Sequence, residues 1–300
     1  MPTNEQRRAS AKRKLERQLE RRAQQARRRR LLTIVGGSIG ALLVVALVGY
    51  SVWYANHNKN DKATAAAAES SAAADSTTTS AAPAEPTQLP PLPLFKPSAD
   101  VGANCLYPPS PELASKPAKP PRTGRVPTDP ATVSASMVTS EGRIGLLLDN
   151  AKSPCTVNSF ANLAQQGFFD DTKCHRLTTS PTLGVLQCGD PKGDGTGGPG
   201  YQFGNEYPTD QYAPDDPALH HPVIYPRGTL AMANAGPGTN SSQFFMVYKD
   251  SQLPPEYTVF GTIQDDGLAT LDKIAQAGVS GGGEDGAPAT EVTIKSVLLD

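Results

Sequence analysis

A chain of 300 residues has room for about two domains of ordinary size, yet its composition supports only one core. The formal net charge of −1 hides a split: residues 1–30 hold 12 of the 28 Lys and Arg against 3 of the 29 acids, which leaves 16 bases and 26 acids to the remainder. The basic tail contains no aromatic residue on which a base would stack, and this argues against nucleic acid as a partner.

In chain order, residues 1–30 read as a basic cytoplasmic tail, rich in helix formers and suited to anionic headgroups. LLTIVGGSIGALLVVALVGYSVWY, residues 31–54, carries no charge, and about 20 such residues cross a hydrocarbon layer ~30 Å thick. The run is too long for a cleaved signal peptide, so it predicts a single transmembrane helix that is retained. Arginines on its amino-terminal side predict a single-pass cell-membrane protein with a cytoplasmic amino terminus and everything after Tyr54 extracytoplasmic. Residues 55–130 are rich in Ala, Ser, Thr and Pro and poor in large apolar side chains, the composition of a disordered, extended linker.

Residues 131–300 change texture. TVSASMVTSEGRIGLLLD predicts a hairpin turning at Ser140, Glu141 and Gly142. A helix follows, with Ser153 as its cap, Pro154 in its first turn, an apolar face of Val157, Phe160, Leu163 and Ala164, and Gly167 as its stop. Strands are expected near Cys174–Leu177, Val185–Cys188, Gly228–Asn234, Gln243–Tyr248 and Tyr257–Ile263. A second helix spans about Leu268–Ala277, and EVTIKSVLL closes the chain as a strand. Many strands with only two helices predict a mostly β, antiparallel barrel with helices over its mouths.

All four cysteines, Cys105, Cys155, Cys174 and Cys188, lie beyond the apolar span, where disulfides are permitted. Four cysteines allow three pairings. Cys174 and Cys188 are equidistant from a hairpin tip near Pro181, which makes that bridge geometrically sensible and leaves Cys105 to clamp the linker to Cys155; four separate thiols is the alternative. There is no CxxC and no HExxH, so no metal or other cofactor is expected. GDGTGGPGY at Gly193–Tyr201 lacks the following helix that a phosphate loop requires. Asn240–Ser242 matches the N-glycosylation triplet, a short pattern.

Five segments in order carry more information than any one of them: His175-Arg176, Gln187 to Asp190 as QxGD, GDGTGG at Gly193–Gly198, LAMANAGPGTNSSQFF at Leu230–Phe245, and VFG at Val259–Gly261. Over about Thr132–Asp300 the chain resembles the cyclophilins, the peptidyl-prolyl cis-trans isomerases, in the manner of a membrane-anchored actinobacterial member of the mycobacterial type B. The resemblance implies a closed eight-stranded antiparallel barrel capped by two helices, with a substrate groove on its outside. It implies Arg176 as the catalytic residue, Gln187 and Gln243 as groove glutamines, and Ala233 and Asn234 as backbone that pairs with the substrate. Gly195 would line a neighbouring subsite, and Phe245, Met232 and Leu253 would form the proline pocket.

Against the family pattern, the segment between Arg176 and Gln187 is three residues longer, and Gly184 and Val185 replace its usual Phe-Met pair, with Leu183 as a substitute wall. Tyr257 stands where many members have histidine, and Gln252 where a tryptophan often governs cyclosporin binding, so weak cyclosporin affinity is expected. Proline-containing polypeptides, exported or of the cell envelope, are the expected substrates. The alternative is a tethered proline-peptide binding module or chaperone with little catalysis.

Overall fold

A computed structural model describes residues 89–300. The basic tail, the apolar span 31–54 and residues 55–88 of the expected linker lie outside them. Among the described residues, no helix is long and apolar enough to cross a membrane.

Strands β1 (Thr132–Thr139) and β2 (Gly142–Asp149) form the predicted hairpin, with Thr139 opposite Gly142 at its tip. Helix α1 (Pro154–Gln165) follows. Then come β3 (Thr172–Lys173), β4 (Arg176–Thr178), β5 (Gly184–Cys188), β6 (Val223–Tyr225), β7 (Thr229–Met232), β8 (Phe244–Lys249), β9 (Ser251–Leu253) and β10 (Val259–Ile263). Helix α2 (Asp265–Ala277), β11 (Asp285–Gly286) and β12 (Thr293–Leu299) complete the chain. Ten strands pair antiparallel in the order β11-β4-β5-β8-β7-β10-β2-β1-β12-β3, while β6 and β9 pair separately.

The expected closed eight-stranded barrel is corrected to a curled sheet. One flank ends in β3 on β12, and β4 on the other flank pairs with β5 and β11. Only Cys174 and His175 separate β3 from β4, so the strand expected at Cys174–Leu177 is two short strands around a corner. Cys174 donates its N–H to the Val292 carbonyl at 2.9 Å on one side and is disulfide-bonded to Cys188 of β5 on the other. One hydrogen bond and one disulfide therefore occupy the seam where barrel closure predicts a hydrogen-bonded ladder.

Side-chain alternation along the strands sorts the apolar residues into two clusters. Leu230 and Met232, Phe244 and Met246, and Leu186 join the interior core with the buried faces of α1 and α2. Ala231, Phe245, Val247 and Val185 point the other way and form a second cluster with Val223 and Tyr225 of β6. The sheet is thus apolar on both faces in its central strands, and β6 and β9 cover part of the outer one.

Of the expected disordered linker, residues 89–130 fall within the described residues, and these are folded against the domain. Residues 89–130 lie along the folded domain as a strap: Cys105 is 1% exposed, Tyr107 and Val126 are 6% exposed, and Cys105 is bonded to Cys155 of α1. Tyr107 packs edge-on to Tyr201 and Phe203 and donates its hydroxyl to the Cys155 carbonyl at 2.7 Å. Three buried side chains and one crosslink fix a segment whose average composition carries no core.

The cap of α1 also differs from expectation. Ser153 donates its hydroxyl to the Val259 carbonyl instead, at 2.7 Å. The helix is capped by distant Glu206, whose carboxylate accepts from the Cys155 and Thr156 N–H groups at 2.9 and 2.7 Å and from the Thr156 hydroxyl at 2.6 Å. Burial pushes this carboxyl up from 4.5 to about 7, against the pull of those donors. The folded chain then holds a proton that the unfolded chain releases, so stability declines as pH rises from 4.5 to about 7. We expect unfolding free energy to fall by up to about 3 kcal/mol across that window relative to Glu206→Gln. Denaturant titrations of both proteins at several pH values check this; a pH-independent difference between them would show that the proton is not held.

The Asn240 of the glycosylation triplet is fully buried and donates to the Gly204 carbonyl and the Asn205 side chain. It is a structural residue of the loop before β8.

Candidate active site

Residues directly opposite one another in antiparallel strands project from the same face. One such row runs Arg176, Gln187, Phe245, Ala231, Val259 across β4, β5, β8, β7 and β10. The next row, Leu177, Leu186, Met246 and Leu230, is fully buried in the interior. Strand parity therefore places a charged, a polar and an aromatic side chain side by side on the outer face.

The polar side of this surface is a chain of hydrogen bonds. Arg176 donates from Nε and Nη2 to the two carboxylate oxygens of Asp285 on β11, both at 2.7 Å, and from Nη1 to the Gln187 Oε1 at 3.4 Å. Gln187 donates to the Gln243 Oε1 at 2.9 Å, and Gln243 donates to the carbonyls of Gly195 and Gly197 at 2.9 and 3.0 Å. The bidentate ion pair raises the Arg176 pKa and holds the Asp285 carboxyl below its usual range, each chiefly through their shared hydrogen bonds. Five guanidinium N–H groups exist, so this pattern leaves one unused on each terminal nitrogen. The Arg176 side chain is 41% exposed and reaches solvent.

Beside the polar chain lies the apolar floor. Phe245 is 4% exposed and meets Tyr257 edge-on with centroids 5.7 Å apart. Leu183, Leu253, Tyr257 and Ala233 pack partly buried against this cluster, and Val185 is part of it. Leu183 and Val185 thus both reach the surface that the altered segment before Gln187 was expected to line. Met232 does not: it is 2% exposed within the interior core. Ala231, not Met232, is the partner of Phe245, so alternation turns Met232 inward and removes it from the pocket.

Asn234 holds its loop through its side chain, donating to the Glu256 carbonyl at 3.0 Å and accepting from the Gly236 N–H at 3.0 Å. Its own backbone N–H and carbonyl make no hydrogen bond within the described residues. The preceding Ala233 N–H is already bonded to the Gln243 carbonyl. Gly195 lines a cavity of about 420 Å³ together with Gln187, Ala233, Asn234 and Gln243.

Two residues of the site were not assigned from sequence. Asp285 sits in a glycine-rich stretch without a motif. Asp190, fully buried, accepts from the N–H groups of Lys192, Asp194 and Gly195 at 2.7, 3.2 and 2.7 Å and so shapes the glycine loop. A Cβ at Gly197 would fall 1.8 Å from the Asp190 Oδ1, which is why the loop needs glycine there. His175 sits behind Gly195, its Nδ1 buried without a partner among the described residues, and burial lowers its pKa. Burial thus favours the neutral form of the motif histidine.

On the outer face of the sheet an arginine and two glutamines thus lie beside an apolar floor. A family model described as "Cyclophilin type peptidyl-prolyl cis-trans isomerase/CLD" matches residues 134–298, and the chain belongs to that family. It is accordingly an isomerase of X-Pro peptide bonds. A Mycobacterium tuberculosis protein named "Probable peptidyl-prolyl cis-trans isomerase B" is 71% identical over 300 residues, covering 100% of this chain and 95% of the relative. The Mycobacterium leprae protein of the same name is 68% identical over the full length of both chains. A Helicobacter pylori peptidyl-prolyl cis-trans isomerase is 37% identical over 150 residues, 49% of this chain and 83% of the relative.

Proposed function

We propose that Arg176 is the catalytic residue and that the groove isomerises X-Pro bonds of exported or cell-envelope proteins. The observation that carries this reading is the fixed guanidinium: Asp285 and Gln187 hold it at the end of the row that contains Phe245, with N–H groups to spare. Rotation about the peptide bond meets a barrier of ~18–20 kcal/mol because the C–N bond has partial double-bond character. As the amide twists, the proline nitrogen regains its lone pair, and a charged donor beside it stabilises that state more than the planar one. Arginine stays protonated, so no proton transfer is needed. Phe245, Leu253, Val185 and Tyr257 hold the ring by apolar contact. The free Asn234 backbone pairs with the flanking chain, and the glutamines keep the arginine and the Gly195 loop in place.

The uncharged run at 31–54, the arginines before it, and two disulfides in the folded domain support anchoring with residues 131–300 outside the cell membrane. The functional test is isomerisation of a short X-Pro peptide by the full-length chain in detergent. Catalysis above the spontaneous rate is expected. Peptide binding at the spontaneous rate would replace the catalytic reading with that of a binding module or chaperone.

Gln252 is exposed on β9 next to Leu253, so no ring extends the pocket on that side. We expect cyclosporin to inhibit only weakly, and submicromolar inhibition in the same assay would contradict this.

A further inference from the structure

The family match begins at residue 134, yet the groove is walled partly by residues that precede it. Strap residues lie against the glycine loop backbone to backbone. The Gln202 N–H donates to the Pro108 carbonyl and the Ser110 N–H to the Gly200 carbonyl, both at 3.0 Å, and the Ser115 N–H donates to the Gly198 carbonyl at 2.8 Å. The Gly198 N–H returns to the Ser115 hydroxyl at 3.1 Å. Gly200, at φ +82, leaves its side-chain space to Ala114, whose nitrogen would lie 3.0 Å from a Cβ. On either side of this contact the strap is pinned, by the Cys105–Cys155 bond and by Lys116, whose ammonium donates to the Gly167 and Asp170 carbonyls at 2.7 and 2.9 Å.

This fixed course carries Ser110–Leu113 to the edge of the 420 Å³ cavity that Gln187, Ala233, Asn234 and Gln243 also line. Glu112 is the one side chain carrying a full charge among the residues lining it. Leu113 is 91% exposed, a large apolar side chain at the rim of the cavity. A carboxylate next to an uncovered aliphatic surface matches a side chain with an apolar stem and a cationic head.

We propose that Glu112 and Leu113 of the strap form a specificity subsite for an arginine or lysine a few residues from the proline of the substrate. The aliphatic stem lies on Leu113 and the cation meets Glu112, while the proline occupies the floor around Phe245. The inference rests on the groove being the substrate site, as proposed above.

The test uses the full-length chain and a set of alanine-based X-Pro peptides in which one arginine, or one glutamate, is moved through the flanking positions. At one position arginine should raise kcat/KM about 3- to 5-fold over alanine, the size of a partly exposed ion pair. Glutamate there should lower it, and salt should shrink both effects. In Glu112→Gln, and in Leu113→Ala, the ratio of arginine to alanine peptide should fall towards one; both side chains are exposed, so neither variant threatens the fold. A ratio near one at every position in the wild type, or a ratio that survives both substitutions, overturns the subsite. Fluorescence anisotropy of the same peptides reads the subsite without catalysis: arginine-dependent binding lost in Glu112→Gln, with no acceleration of any peptide, would sustain the subsite and overturn the catalytic reading of the groove.

Discussion

Arg176→Ala should lower kcat/KM for an X-Pro peptide by about 10²- to 10³-fold, the range seen when one donor to a transition state is removed. The side chain is 41% exposed and among the described residues bonds only to Asp285 and Gln187, so circular dichroism and thermal unfolding should change little. The loss should appear mainly in kcat, because the apolar floor and the Asn234 backbone still bind the peptide. Asp285→Ala removes the clamp but keeps the guanidinium, and a loss of about ten-fold is expected from misplacement alone. Equal rates for the wild type and Arg176→Ala would falsify the assignment of the catalytic role.

Removing the Cys105–Cys155 bond should produce the largest loss of stability. It closes a loop of sequence separation 50, for which the chain-entropy relation gives about 4 kcal/mol. The Cys174–Cys188 bond closes a loop of separation 14 and is expected to contribute about 3 kcal/mol on the same relation. For a domain of this size, 4 kcal/mol lowers Tm by about 10 °C. The comparison is between the wild type and the double variant Cys105→Ser, Cys155→Ser in thermal unfolding. A fall in Tm of under about 2 °C would mean that hydrogen bonds hold the strap without help from the crosslink.

What the sequence made legible was local. The β1–β2 hairpin follows from alternation on both sides of Ser140–Gly142, and α1 from the Pro154 start and Gly167 stop. The ordered motifs located Arg176, Gln187, Gln243 and Phe245, and register brings all four onto one surface. The misses have common physical causes. Strands β6, β9 and β11 are two or three residues long, too short to show a period. Met232 is apolar and so fits a proline pocket by residue type, whereas its direction is fixed by parity relative to Ala231 opposite Phe245. Glu206 capping α1 and Asp285 clamping Arg176 are contacts over 50 and 109 residues, invisible to any local window. The strap escaped because composition averages over a segment, while attachment depends on Cys105, Tyr107 and Val126 alone.

The boundary of the family match and the boundary of the physical unit do not coincide. A recombinant fragment trimmed to 134–298 discards Cys105 and leaves Cys155 as an orphan thiol. It also strips the aromatic cover of Tyr107 from Tyr201 and Phe203, side chains now 1% and 2% exposed, and invites self-association at that bare patch. Cloning this enzyme from residue 89 onward keeps its lining stitched to its coat.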